Sequence, residues 1–299
     1  MWAPDPAHEA VRDLARAREA ASDDLRRKRQ QLLSFLLRHG RIYSGGGHWT
    51  LAHRRWLAGQ KFEHTAQQIV FQEGVDAIDD SLQRLRRVEK QLALVAPEWS
   101  MAPVVEAYQA MRGASFLVAV TFAAEIGDVR RFDTPRQLAS FLGLVPAESS
   151  TGDTIRRKGL TLAGNRRARR ALVEAAWTYR YPARISETLR ARLEGLPKPV
   201  RDIAWKAQVR LCARYRRLSA TGKKPPVVVA AIAREIAVSC GRSDGRSRPR
   251  KRGPSPAAQT RERSPEGVGT PVASYVAGPR ARRPSSRPMK APRRRHGRR

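Results

Sequence analysis

A mainly α fold is predicted by three features of this 299-residue sequence: an antiparallel coiled-coil arm, then a helical domain, then a disordered basic tail. Two long segments repeat apolar residues every seven positions, the spacing of a helical stripe. The middle of the chain is Ala/Val-rich and offers no set of candidate strands from which a sheet could be built. From Gly241 to Arg299 apolar residues are scarce among Arg, Pro, Ser and Gly, too few to bury a core. These features divide the chain into residues 1–97, 98–240 and 241–299.

The first helix is expected over residues 7–38. Leu14, Ala21, Leu25, Leu32 and Phe35/Leu36 form its stripe, and Arg12, Arg16, Arg26, Arg27 and Arg29 take other positions. Gly45-Gly46-Gly47 breaks it between Gly40 and Trp49. A second helical region runs from about Leu51 through Phe71. A third follows with Ile78, Leu85 and Leu92 seven apart, and Pro97 ends it. Two heptad-patterned helices joined by a helical insert make either an antiparallel arm or a dimerisation coiled coil. An ordinary bundle core is the alternative that periodicity leaves open.

Val104 to Glu125 reads as helical on either side of Gly113. A glycine at such a corner lets a phosphate backbone approach free N–H groups, the logic of a helix-hairpin-helix. The plainer reading is a glycine that ends a helix. A short helix is expected over Gln137–Leu142, anchored by Phe132. Gly143 to Gly164 reads as irregular, with a short hairpin left open. Asn165 is placed to cap a helix running to about Tyr179. That helix starts with Arg166 and Arg167, which oppose its dipole. Either they serve a bound phosphate or they are ordinary surface bases. One or two basic helices follow over Ala183–Ala220, and Pro225-Pro226 starts a last one, Val227–Ile236.

The net charge is +32, and 18 Lys/Arg against 3 Asp/Glu lie from Gly241 onward. The remaining 41 bases against 24 acids leave the body itself strongly positive. Nucleic acid is the expected partner, bound in a salt-sensitive way. No apolar run approaches the roughly 20 residues that a membrane-spanning helix needs. Cys212 and Cys240 are too few for a zinc site. His48 and His53, near Trp49 and Trp56, read as surface or nucleic-acid contacts. A reducing, cytoplasmic and nucleoid-associated setting is expected.

The most informative stretch runs from Gly143 to Trp177. Its hydroxyl-rich turn, Ser149-Ser150-Thr151-Gly152, precedes Arg156, Arg157 and Lys158, then Arg166, Arg167, Arg169 and Arg170. An alcohol attacks phosphorus well only where positive charge offsets the pentavalent transition state. The alternative is a turn whose hydroxyls cap nearby N–H groups.

The order GLVP…SSTG…RRKG…T…GN…RR…LVEAAW resembles the bridge-RNA-guided insertion-sequence transposases of the DEDD-plus-serine (IS-one-ten) family. The likeness runs from about Asp5 to Glu235. Arg112-Gly113-Ala114-Ser115 and Ala123-Ala124-Glu125-Ile126-Gly127-Asp128 match that family's helix-hairpin-helix-like segment. The resemblance implies a serine that becomes joined to DNA, here Ser150, with Thr151 as the alternative. It also implies nucleic-acid contacts at Gly113, Arg156, Arg157, Lys158, Asn165, Arg166, Arg167, Arg169 and Arg170. Its implied partners are DNA, a guide (bridge) RNA and a second copy or a full-length transposase. It favours the coiled-coil arm, because the family pairs protomers through this region.

The family also carries a RuvC-like domain whose four acids bind Mg2+, and that quartet has no counterpart here. Asp23-Asp24 and Asp79-Asp80 read as solvated helix faces. The expectation is therefore a truncated insertion-sequence transposase, its tail out of frame. The alternative is a catalytically inactive, nucleic-acid-binding and dimerising remnant. A general basic RNA-binding protein is a third reading, which leaves the order from Gly113 to Trp177 unexplained.

Overall fold

A computed structural model of the chain describes residues 4–148, 157–161 and 163–247. Helix α1 spans Pro6–Arg38; Asp5 caps it, its Oδ1 accepting from the His8 N–H at 2.6 Å, and Pro6 fixes the first turn. Helix α2 is Leu51–Ala58 and α3 is Thr65–Val95. α1 and α3 lie antiparallel. Arg18 pairs with Glu89 at 2.7 Å, Ser81 Oγ donates to Asp24 at 3.4 Å, and Leu25, Leu32 and Leu36 share a core with Phe71 and Ile78. The heptad stripe is thus consumed within the chain.

The end of α2 differs from the sequence expectation. α2 stops at Ala58, and residues 65–95 form a single helix. The intervening turn is held by Phe62, whose ring lies 5.3 Å from Phe35 and 5.4 Å from Phe71. Its N–H donates to Gln68 Oε1 at 3.0 Å. His53 also departs from expectation. His48 is exposed as predicted, but His53 is fully buried, with Tyr43, His48, Trp49 and Trp56 at ring distances of 4.9, 4.9, 5.1 and 5.6 Å. Burial, aided by the neighbouring His48, lowers its pKa, so this imidazole is a neutral packing element.

The body follows as α4 Ala102–Gln109, α5 Phe116–Ile126, α6 Pro135–Phe141, strands β1 Pro146–Glu148 and β2 Arg157–Leu160, and α7 Arg166–Ala176. Then come α8 Glu187–Leu193, α9 Lys198–Ala220 and α10 Pro225–Ser247. α7 and α10 are central: α5 packs on α7, and α10 packs on α4, α7 and α9. The arm is rooted in this body, since Val11, Ala15, Leu92 and Ala96 belong to the same core. Among the described residues no helix is long and apolar enough to cross a membrane.

α10 was expected to stop near Ile236 and runs to Ser247. Val228, Ile232, Ile236 and Cys240, four residues apart, are all buried. That stripe carries the helix past the shift in composition, each aliphatic side chain contributing about 2 kcal/mol of burial.

Gly113 turns the chain between α4 and α5 at φ +81°. A Cβ there would collide with the Ala175 carbonyl oxygen and come within 2.7 Å of Thr178 Oγ1. The end of α7 lies where that side chain would stand, so packing requires glycine here. Gly113→Ala is expected to cost about 3 kcal/mol, from left-handed strain plus overpacking. Gly195→Ala, at φ +74° with nothing within 4 Å, is expected to cost about 1 kcal/mol. Urea unfolding midpoints of the two variants check this ordering.

Candidate nucleic-acid interface

The interface is built around the start of α7. Asn165 caps that helix, its Oδ1 accepting from the Ala168 N–H at 2.9 Å, while its own N–H donates to the Phe141 carbonyl at 2.7 Å. Asn165 Nδ2 donates to Glu125 Oε2 at 2.8 Å. Asn165 therefore holds α7, α6 and α5 together, and each of its polar groups is already engaged.

Glu125 is the hub of this region. Its side chain is 2% exposed, and Arg16 of α1 donates to both of its oxygens, at 2.9 and 3.2 Å. Burial alone would raise its pKa, but the hydrogen bonds from Arg16 and Asn165 prevail and hold it below the ordinary value. The same pair raises the pKa of Arg16. Next to it, His8 Nε2 and Arg12 Nε both donate to the Ala124 carbonyl, at 2.8 and 2.9 Å, satisfying the end of α5. The sequence pattern alone assigns Glu125 no role. The signal was a single acid in the otherwise apolar run FLVAVTFAAEI.

The predicted basic residues divide by environment. Arg167 pairs with Glu19 of α1 at 2.5 Å. Arg170 reaches Glu174 at 3.2 Å and both Glu19 and Asp23 at 3.6 Å. Arg169 Nη1 donates to the carbonyls of Leu142 and Ala163, at 2.9 and 3.2 Å, closing the loop that leads into α7. These three guanidiniums bind protein. Arg166 is exposed and carries no ion pair among the described residues. Between α1 and the start of α7 lies a polar cleft of about 560 Å3, lined by Arg16, Glu19, Asp23, Glu125, Arg166 and Arg167 among others.

β1 and β2 pair antiparallel, Pro146 opposite Leu160, so the hairpin left open by the sequence is present. Its open end is tied down where the Thr161 N–H donates to the Val145 carbonyl at 2.9 Å. The hairpin brackets residues 149–156 in the chain. Ser150, Thr151 and Arg156 lie outside the described residues, as do the side chains of Arg157 and Lys158, whose backbones belong to β2.

The acidic pairs considered for Mg2+ sit on the arm. Asp23 and Asp24 each pair with an arginine at 3.3 Å, and Asp79 pairs with Arg54 at 2.9 Å. Among the described residues no three His, Cys, Asp or Glu side chains converge. The described carboxylates do not fit a magnesium site, and no step is derived through one.

Residues 105–191 match the family described as Transposase IS116/IS110/IS902. The chain is 53% identical over 237 residues to transposase y4qE of Sinorhizobium fredii, covering 79% of this chain and 57% of that protein. It is 28% identical over 224 residues to the transposase for insertion sequence element IS1533 of Leptospira borgpetersenii, covering 72% of this chain and 63% of that protein. The chain therefore spans about three fifths of the length of these two relatives.

Proposed function

We propose that this chain, whose residues 105–191 match the Transposase IS116/IS110/IS902 family, belongs to that family and acts in DNA transposition by binding DNA and joining it to a serine. Ser150 is the proposed nucleophile. Its Oγ–phosphorus bond would form as the phosphorus–oxygen bond to the departing strand breaks, with that oxygen taking up the serine proton. The observation that carries this reading is the hairpin bracketing residues 149–156, tied at its open end inside the family-matched segment. The proposed partners are DNA, a guide RNA, and a second copy or a full-length transposase. Mg2+ is proposed as the metal of the complete reaction, held by groups beyond the described residues.

The test is direct. The purified chain is mixed with Mg2+, guide RNA and end-labelled insertion-sequence DNA, then denatured and run on a gel. A labelled protein–DNA adduct is the expected result. DNA binding without an adduct would instead assign the chain the role of a nucleic-acid-binding remnant. Arg166 offers a second check, because it is exposed and has no ion pair among the described residues. Arg166→Gln is expected to lower the slope of log affinity against log salt by about one unit, the change for one phosphate contact. Fluorescence anisotropy across a salt series measures it.

A further inference from the structure

α8 and the first half of α9 enclose an open groove of about 520 Å3, within the size range of about 300–1,000 Å3 typical of ligand sites. Its walls are Ala110, Ile185, Leu189, Leu193, Ala204 and Trp205. Trp205 is 44% exposed and Ile185 43%. Fully burying an indole is worth several kcal/mol, so one left half-open in an apolar groove offers a face to something else. The wall carrying Ile185 is fixed in advance. Gln208 Nε2 donates to the Arg184 carbonyl at 2.7 Å, and Arg112 Nη1 donates to the Pro182 carbonyl at 2.6 Å.

Charge identifies what fits there. Arg190, Lys198 and Arg201 line the groove, against Glu194 and Asp202. Arg190 lies 3.7 Å from Glu187 in an exposed pair, a weak restraint on a guanidinium. α9 itself carries seven bases and one acid, Asp202, and of these bases Arg210 and Arg214 pair with Glu235 of α10. An exposed indole beside cations suits a ligand with an aromatic face and a flanking negative charge. An unpaired nucleotide has both, and base–aromatic stacking tolerates any base. A duplex hides its base faces, and an acidic peptide satisfies the cations but not the indole.

We propose that this groove holds one unpaired base of a single-stranded nucleic acid, stacked on Trp205, with its neighbouring phosphates met by Arg190, Lys198 and Arg201. The inference rests on the nucleic-acid-binding reading above and adds a site away from α7 and the hairpin. A single strand of DNA and one of RNA share this chemistry, and the experiment separates them.

The full chain is titrated into fluorescein-labelled 12-residue oligothymidine, oligouridine and a 12-base-pair duplex, with anisotropy as the readout. Trp205→Ala is expected to weaken single-strand binding about tenfold and leave duplex binding within twofold. Trp205→Phe is expected to recover most of the loss, which a merely structural effect on α9 would not predict. The single strand showing the larger loss names the natural source. Equal losses on single strand and duplex, or none on either single strand, would overturn the proposal. Failure of the unaltered chain to bind any of the three nucleic acids would instead sink the reading on which it rests.

Discussion

Ser150→Ala is expected to abolish the covalent protein–DNA adduct, by at least about 1,000-fold, while changing DNA affinity less than twofold. The asymmetry follows from what a hydroxyl does. As a nucleophile, Ser150 Oγ supplies the atom that forms the new bond, and no neighbouring group substitutes for a missing oxygen. As a binding group, it contributes at most one neutral hydrogen bond among many ionic contacts, worth about 1 kcal/mol and in water often less. Thr151→Ala, made beside it, is expected to retain the adduct. The reverse outcome would move the nucleophile by one residue, and equal loss of binding and joining would remove Ser150 from the chemistry.

The bases proposed as charge partners of that step differ in their surroundings. Arg156, Arg157 and Lys158 follow Ser150 in the chain, whereas Arg167, Arg169 and Arg170 are engaged by Glu19, Asp23, Glu174 and two carbonyls. Neutralising Arg167 or Arg170 is expected to act on the docking of α1 against α7, and neutralising Arg169 on the loop that leads into α7, before it acts on phosphate. Sequence displays charge but not what lies opposite it. Glu19 and Asp23 precede Arg167 by well over a hundred residues, and only the fold brings them together.

The same contrast runs through the fold. The stripes of α1 and α3 were legible because seven-residue spacing maps directly onto one helix face. The end of α2 was not, because helix-compatible residues continue through Ile69 and Val70, which turn out to be 57% and 54% exposed. The reach of α10 was hidden by composition: Ser239 and Cys240 look like the start of a polar tail, yet both are buried. At Gly113 the chain reversal was legible, but not what filled the space beside it, since the end of α7 lies some sixty residues on. Asn165 was legible as a cap from its position alone, while its second bond, to Glu125, depends on tertiary structure.

That second bond sets the other large effect. Glu125→Ala is expected to destabilise the chain by about 3 kcal/mol at neutral pH, within the range for breaking a buried ion pair. The Arg16 side chain is 40% exposed and can rehydrate, which holds the loss toward the lower end of that range. Asn165 Nδ2, by contrast, loses its carboxylate partner beside the N-terminus of α7. Glu125→Gln keeps the shape and removes the charge, so it separates packing from electrostatics. The sign with pH is fixed by the direction of the shift. Glu125 titrates below the ordinary value of 4.5 in the folded chain, so its stabilisation is present above that value. It is lost as pH falls through the lowered native value. The stability gap between the unaltered chain and Glu125→Gln is therefore expected to be constant near neutrality and to close in acid. Urea unfolding at a series of pH values measures it. A gap that persists unchanged in acid would mean that the carboxylate charge does not couple α1 and α5 to the cap of α7. Because that cap also holds the Phe141 carbonyl, weakening Glu125 is expected to loosen the segment from which the hairpin rises, so adduct formation should fall with stability in these variants.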